Sequence, residues 1–169
     1  MTAARLVLAA VVLLRLVELL HAHRKTKALI DRGGVEIGAH HYPLFIVLHT
    51  AWLASLFLFV PADAHLSWPW LAILLLMQAA RLWCILSLGP WWTTRIITVP
   101  GAPLVRRGPY RFMRHPNYAV VVVEIAALPM MFGAWRIALI FSLCNAALLA
   151  WRIRVEERAL TPRRAHSAG

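Results

Sequence analysis

Long apolar stretches, each close to the length that crosses a lipid bilayer, constrain this chain more than any other feature. A membrane-spanning helix needs about 20 mostly apolar residues, because its backbone must satisfy its own hydrogen bonds away from water. Residues 3–20, 43–60 and 68–88 form such stretches. Hydrophobic residues make up 61% of the 169 residues, too large a share for a soluble domain of this length. We therefore expect one integral membrane domain over residues 1–169.

The last apolar region, residues 118–151, is too long for one ordinary span. Pro129 and Gly133 interrupt it near its middle, where proline kinks or ends a helix and glycine permits a tight turn. The region is therefore predicted to fold as a tight helical hairpin, with spans over residues 117–131 and 135–153. The predicted fold is all-α, with five transmembrane helices.

The basic residues orient these helices. Lys and Arg cluster in the segments that follow the first, third and last spans, whereas residues 61–67 contain neither. Because short cytoplasmic loops carry an excess of Lys and Arg, the N-terminus is predicted to lie outside and the C-terminus in the cytoplasm. Contact with anionic lipid headgroups then explains the formal charge of +11 better than nucleic-acid binding does.

Neither a disulfide nor a metal site is expected. Cys84 and Cys144 both lie inside predicted spans. The closely spaced histidine pairs lack acidic or cysteine ligands at helical spacing, which a zinc site requires.

The segment of residues 89–117 is long for a loop in so small a protein, and its aromatic and branched residues argue against disorder. A membrane-surface segment is the simpler interpretation, but it leaves the ordered turn residues unexplained. Pro116 marks the start of a helix, with His115 near its cap. Free backbone N–H groups beside Arg114 and His115 predict an anion site, suited to the carboxylate of an amino-acid moiety.

A second charged segment, residues 151–158, follows the last span. Arg152 and Glu156 are four residues apart and share a helix face, which alone indicates a solvated helix end with weak ion pairs. The predicted hairpin, however, brings Arg152 to about the same membrane depth as His115. Two charged segments that are distant in sequence are therefore expected to meet.

Charged residues inside the spans are expensive at membrane depth and tend to pair. Glu124 and Arg81 lie at similar depths in the fourth and third spans, so we predict a buried, structural Arg81–Glu124 pair. Asn145 is the nearest polar candidate on the return helix. Arg15 and Glu18, three residues apart on the first span, are predicted to pair with each other.

The chain resembles the isoprenylcysteine carboxyl methyltransferase family and its bacterial relatives over roughly its last eighty residues. The ordered series that carries the resemblance is Leu88-Gly89, Trp92-Thr93, Gly108-Pro109-Tyr110-Arg111, Arg114-His115-Pro116-Asn117-Tyr118 and the charged residues 152–157. The resemblance implies a helical membrane enzyme whose C-terminal half holds S-adenosylmethionine at the cytosolic face, with a lipid-side opening for the methyl acceptor.

The resemblance also implies which residues form the site. Carried over to this sequence, the residues that contact cofactor or acceptor are His115, Tyr118, Arg152, Glu156 and Glu157. The turn at Gly108 and Tyr110 forms a wall of the cofactor pocket, and Arg114 belongs to the anion site. Arg152 and Glu156 are the predicted catalytic residues, with Arg152 at the anionic acceptor oxygen; the other six are predicted to bind the cofactor.

Two departures from the family pattern concern the acceptor. The glycine that prenylcysteine enzymes usually show two residues after the tyrosine is absent here, where Val120 stands, and the chain stops soon after Leu160. Both features look like the bacterial branch similar to O-methyltransferases of long-chain alkylpyrones and alkylresorcinols. The acceptor is therefore predicted to be either a prenylcysteine carboxylate or a hydroxyl or enol of such a lipid. The predicted location of the protein is a bacterial inner membrane, with the active site on the cytoplasmic side.

Two alternatives of other kinds stay open. A membrane reductase of the sterol-reductase type, using NADPH, looks similar around an Asn-Tyr pair at a helix start. A non-enzymatic lipid-binding protein would use its Arg and Trp residues only as membrane anchors. The sequence leaves the oligomeric state open as well.

Overall fold

The computed structural model describes residues 2–102 and 104–166, with side chains as far as residue 161. Met1, Pro103 and residues 167–169 of the predicted domain lie outside the described residues. The described chain forms five long helices: α1 (Ala3–Ile30), α2 (Tyr42–Phe59), α3 (Trp68–Leu88), α4 (Pro116–Met131) and α5 (Trp135–His166).

Each long helix covers one predicted span, but α1 and α5 are longer than predicted. The first continues ten residues past the predicted end at Leu20, because nothing breaks the helix before Gly33, which has a φ of 80°. The last continues to His166; no glycine or proline interrupts it from Trp135 to Thr161, and it runs on past Pro162. Apolar length therefore located the spans, while the helices extend past the apolar stretches where no glycine turn stops them.

Within the described residues, three helical segments are long and apolar enough to cross a membrane: Ala39–Phe59, Trp68–Trp91 and Trp135–Thr161. The fourth helix is apolar but has only 16 residues. The chain is therefore an integral membrane protein, while five spans and the direction in which they run stay predictions.

The predicted hairpin between α4 and α5 is confirmed. Only Phe132, Gly133 and Ala134 separate the helices, and Gly133 takes a φ of 70° that other residues rarely adopt. The Gly133 amide donates to the Met130 carbonyl, and the Ala134 amide donates to the Pro129 carbonyl, each at 3.0 Å. This turn sends α5 back along α4.

An apolar core packs between α1, α2, α3 and α4. It consists of Leu8, Val11, Trp52, Leu56, Val60, Leu74, Ile125, Leu128 and Met131. Because these side chains exclude lipid and water from the bundle, they fix how the helices pack around the space described below.

A small antiparallel sheet, absent from the sequence-based prediction, pairs β1 (Val35–Glu36) with β2 (Ile97–Thr98). Strands of two residues are too short to leave an alternating pattern in a sequence. The Arg95 guanidinium donates to both oxygens of the Glu36 carboxylate, at 2.7 and 2.9 Å. Together these contacts hold the segment of residues 89–117 against the end of α1.

Candidate active site

The hairpin brings the start of α4 and the charged part of α5 together, as the sequence predicted. Arg152 Nε donates to the Tyr118 hydroxyl oxygen at 2.7 Å, and that hydroxyl donates to Glu156 Oε2 at 2.5 Å. Residues 34 to 38 positions apart in sequence thus form one hydrogen-bonded chain. Hydrogen bonds to charged groups are the stronger ones, so this chain fixes all three side chains.

His115 extends the cluster from the cap of α4. Its ring stacks on Tyr118 with 5.3 Å between centroids, and its Nε2 lies 2.7 Å from Glu157 Oε1. The Glu156 carboxylate lies 3.6 Å from His115 Nδ1. Arg114 reaches Glu157 at 3.4 Å, but its side chain is 72% exposed. The imidazole thus contacts both carboxylates of α5.

The segment before α4 closes the cluster from the other side. Arg152 Nη2 donates to the backbone carbonyl of Thr94 at 2.7 Å, and the Thr94 hydroxyl is 3.1 Å from that of Tyr42. Arg152 is only 7% exposed, and its guanidinium packs against the Phe45 and Tyr118 rings. Three separate parts of the chain therefore position this one arginine.

The turn at Gly108–Arg111 is a short 3-10 helix packed on the end of α3. Gly108 has a φ of 56°, and a side chain there would collide with Ser87, so the close approach requires glycine. Burial, reinforced by the neighbouring Cys84, raises the pKa of the Tyr110 phenol. Tyr110 therefore stays protonated and offers a hydroxyl rather than a phenolate.

These residues surround one end of a cavity of about 1180 Å³ that continues between the helices. Six of the eight predicted site residues line it: Tyr110, Arg114, His115, Tyr118, Arg152 and Glu156. Gly108 and Glu157 do not line it. Gly108 instead allows the turn to approach α3, and Glu157 contacts Arg114 and His115.

A second charged cluster lies deeper in the cavity wall and confirms two predicted ion pairs. Arg81 Nε donates to Glu124 Oε1 at 3.2 Å, and a second, shorter hydrogen bond joins Arg81 Nη2 to Glu124 Oε2. Arg15 Nη1 donates to Glu18 Oε2 at 2.8 Å. Gln78 Nε2 donates to Glu124 Oε1 at 2.6 Å. We call Arg15, Glu18, Gln78, Arg81 and Glu124 the inner cluster.

The sequence did not predict that the two ion pairs join. Arg15 Nη2 also reaches Gln78 at 2.8 Å and Glu124 at 3.3 Å, which requires α1 to pack beside α3 and α4 at that depth. Asn145, the polar candidate on α5, is buried, but its Oδ1 has no hydrogen-bond partner among the described residues, so it does not join the cluster.

Two further residues of the site had no signal in the sequence. Thr94 acts through its backbone carbonyl, which any residue type would supply, and Phe45 belongs to an apolar helix without a motif. The described residues contain no group of three or more potential metal ligands, and Cys84 and Cys144 are free thiols.

A comparison with known proteins shows which family the chain matches. The family model for isoprenylcysteine carboxyl methyltransferase matches residues 70–162. The uncharacterized protein YpbQ of Bacillus subtilis (strain 168) is 39% identical over 160 residues, covering 92% of this chain and 95% of that protein. An uncharacterized protein of Haemophilus influenzae is 28% identical over 144 residues, covering 82% of this chain and 83% of its own length. Neither name states an activity.

No solved structure matches the chain. The matched residues nevertheless span more than half of it and include α3 from residue 70, the turn at Gly108–Arg111, the hairpin and the charged part of α5. The chain therefore belongs to the isoprenylcysteine carboxyl methyltransferase family, a family of membrane methyltransferases.

Proposed function

We propose that the protein is an S-adenosylmethionine-dependent O-methyltransferase that acts on a lipophilic acceptor. One observation carries the proposal: a single cavity has a charged end at Arg152, Tyr118 and Glu156 and continues between apolar helix faces. A charged cofactor and a lipid substrate need those two environments side by side.

The charged end suits the amino-acid part of the cofactor. Arg111, Arg114 and His115 border it as donors for a carboxylate, and the Glu156 carboxylate is the matching acceptor for an ammonium or ribose hydroxyl. The hydrogen bonds that Glu156 accepts from Tyr118 and that His115 shares with Glu157 fix both side chains. Glu157, behind His115, is then a positioning residue.

Arg152 is the residue that we assign to the acceptor oxygen. Its Nε and Nη2 are engaged by Tyr118 and Thr94, and its Nη1 has no hydrogen-bond partner among the described residues. S-adenosylmethionine, when bound, supplies a sulfonium methyl group that an oxygen anion takes up in one in-line displacement. Holding reacting groups in line contributes about 7–11 kcal/mol, so positioning by Arg152 is the main task of the site.

The two acceptor classes differ in whether methylation needs a base. A prenylcysteine carboxylate or an acidic enol of an alkylpyrone is already ionised near neutral pH and needs none. A phenolic hydroxyl of an alkylresorcinol, with an ordinary pKa near 10, needs a group to take its proton, and Glu156 is the carboxylate that lines the cavity at this end. Both acceptor classes belong to the proposal.

The proposal also covers where the enzyme lies in the cell and on which side of the membrane its site opens. The site lies at the end of the bundle where the basic segments gather, which the positive-inside rule assigns to the cytoplasm. We therefore place the active site on the cytoplasmic side of a bacterial inner membrane. Membrane lipids are its neighbours and a lipophilic molecule is its partner, with no role for nucleic acid.

A transfer assay tests the proposal. Detergent-purified protein is incubated with S-adenosylmethionine carrying a labelled methyl group and, separately, a prenylcysteine, an alkylpyrone or an alkylresorcinol. Label in the lipid fraction with one acceptor, and its loss in Arg152→Ala, is the expected result. A folded protein that labels none of them and oxidises NADPH in the presence of an unsaturated lipid would contradict it.

A further inference from the structure

At one depth the cavity wall carries polar side chains that the methyl-transfer site does not use. On α2, Phe45, His49 and Trp52 lie at i, i+4 and i+7 and share one face. The Arg152 guanidinium is 5.3 Å from the Phe45 ring centroid, and centroid distances of 6.5 and 6.3 Å join Phe45 to His49 and His49 to Trp52. Phe45 thus lies between Arg152 and His49, and His49 is two such steps from the guanidinium, deeper in the bundle.

The opposite wall carries the inner cluster. Tyr118, Val121 and Ile125 line the cavity along α4, with Glu124 on the same stretch. His49, on the facing wall, lies within electrostatic reach of Arg15, Arg81 and Glu124. The cavity is therefore apolar along its sides but polar at this one depth.

Most hydrogen-bonding groups of the inner cluster are used by the cluster itself. The Glu124 carboxylate accepts from Arg15, Gln78 and Arg81. The two arginines and two glutamates balance in charge, so the cluster has no excess charge with which to attract an ion.

Two acceptor atoms remain. His49 Nδ1 lies 2.8 Å from the Phe45 carbonyl; a carbonyl only accepts, so in the neutral ring Nδ1 carries the hydrogen and Nε2 has the free lone pair. The other, Glu18 Oε1, belongs to α1 and has no hydrogen-bond partner among the described residues, but no contact among those residues joins it to His49. The place argued here therefore centres on His49 Nε2, which lines the cavity.

We infer that this place is a second recognition site, which takes a neutral hydroxyl group carried on the apolar chain of the lipophilic acceptor, about 10 Å from the oxygen that is methylated. Acceptors without donors select a group that donates, and a balanced charge selects an uncharged one. A donor at membrane depth gains more from such a bond than it would in water. The inference rests on the proposed function, because the remote oxygen is defined by the Arg152 site.

Equilibrium binding of matched fatty acids to the full-length protein in detergent tests the inference. The probes are a saturated long-chain acid, the same acid with one mid-chain hydroxyl about 10 Å from the carboxylate, and its isomer with the hydroxyl next to the carboxylate. We expect the mid-chain hydroxy acid to bind about tenfold more tightly than the parent acid. The isomer should bind like the parent.

Substitutions then test whether His49 causes the preference for the mid-chain hydroxy acid. His49→Phe keeps an aromatic ring but removes Nε2, so the two affinities should become equal while the parent acid binds as before. His65→Phe, in the loop between α2 and α3 and away from the cavity, is the matched control and should keep the tenfold preference.

Equal binding of the parent and mid-chain hydroxy acids to the unsubstituted protein would overturn the inference, as would binding of neither. So would a preference that survives His49→Phe. The comparison of probes decides the matter even if that variant does not fold. Separate titration with S-adenosylmethionine distinguishes the two proposals: a hydroxyl preference without cofactor binding would refute the methyltransferase proposal and leave the hydroxyl site standing.

Discussion

The molecule contains two charged clusters, and they differ in whether their central charged side chain keeps a hydrogen-bonding group without a partner among the described residues. The outer cluster, formed by Arg114, His115, Tyr118, Arg152, Glu156 and Glu157, comes from the start of α4 and the charged part of α5, and all of its residues except Glu157 border the end of the cavity. The inner cluster lies between α1, α3 and α4 at membrane depth, and its central carboxylate accepts hydrogen bonds from three side chains.

This difference separates a charge that serves the fold from one that serves a ligand. Glu124 is 5% exposed and fully engaged, so its partners explain it without any chemistry. Arg152 is almost as buried, yet it keeps a donor that no described residue uses. Burial alone therefore does not identify a binding group; a buried charge with an unused donor does.

The largest expected effect is on stability, from Glu124→Leu. Removing Glu124 leaves the Arg15 and Arg81 guanidinium groups with only the Glu18 carboxylate to balance them, and breaking a buried ion pair in this way costs about 3–5 kcal/mol of unfolding free energy. Thermal unfolding in detergent measures it. The double variant Arg81→Leu/Glu124→Leu should lose less than the sum of the single losses, and strict additivity would show that the pair does not couple.

Arg152→Ala should have the next largest effect, on turnover. Loss of one preorganised donor at a reacting oxygen costs about 10²–10³ in kcat, and cofactor affinity should change little because Arg152 faces the acceptor. Initial rates and cofactor titration separate these effects. Arg152→Lys keeps the charge but not the planar fork and should restore only a small part of the rate. Full turnover in Arg152→Ala would remove the arginine from the mechanism.

Tyr118→Phe should have an intermediate effect. The phenol links Arg152 to Glu156, so its removal frees both side chains while it preserves the ring that stacks on His115. Because hydrogen bonds to charged groups contribute about 1.5–3 kcal/mol, we expect kcat/KM to fall at least about tenfold. Tyr42→Phe, which loses only the contact with Thr94, is the control. Equal losses in the two variants would argue against a specific role for Tyr118.

The smallest effect should come from Arg114→Ala. Its ion pair with Glu157 is largely exposed, and exposed ion pairs contribute only about 0.2–1 kcal/mol. Stability should hardly change, and cofactor affinity should fall only a few-fold, which isothermal titration measures. A loss as large as that of Arg152→Ala would mean that the anion site centres on Arg114 instead.

Much of this arrangement was predictable from sequence because its causes are local. Apolar length located the helices, Pro116 and Gly133 marked the ends of α4, and the hairpin then required His115 and Arg152 to meet. The Arg81–Glu124 pair followed from equal membrane depth. In each case the position of a residue along its own helix, together with one turn or one depth, carried enough information.

The remaining features depend on how distant segments pack. Thr94 contributes a backbone atom, the inner cluster needs α1 beside α3, and β1 and β2 are too short to show a pattern. Gly108 was assigned to the pocket wall, but its conformation and its contact with α3 place it behind that wall. Side-chain identity carries little information about such contacts, because they are decided by the packing of the bundle.

Calorimetric titration of S-adenosylmethionine and of its demethylated product into the detergent-purified protein tests most directly whether the outer cluster is a cofactor site. We expect saturable binding of both compounds by the unsubstituted protein, abolished or weakened at least about tenfold in His115→Ala and Glu156→Ala. His65→Phe should bind like the unsubstituted protein. Absence of binding by a folded protein, or undiminished binding in both cluster variants, would contradict the assignment of this site to S-adenosylmethionine.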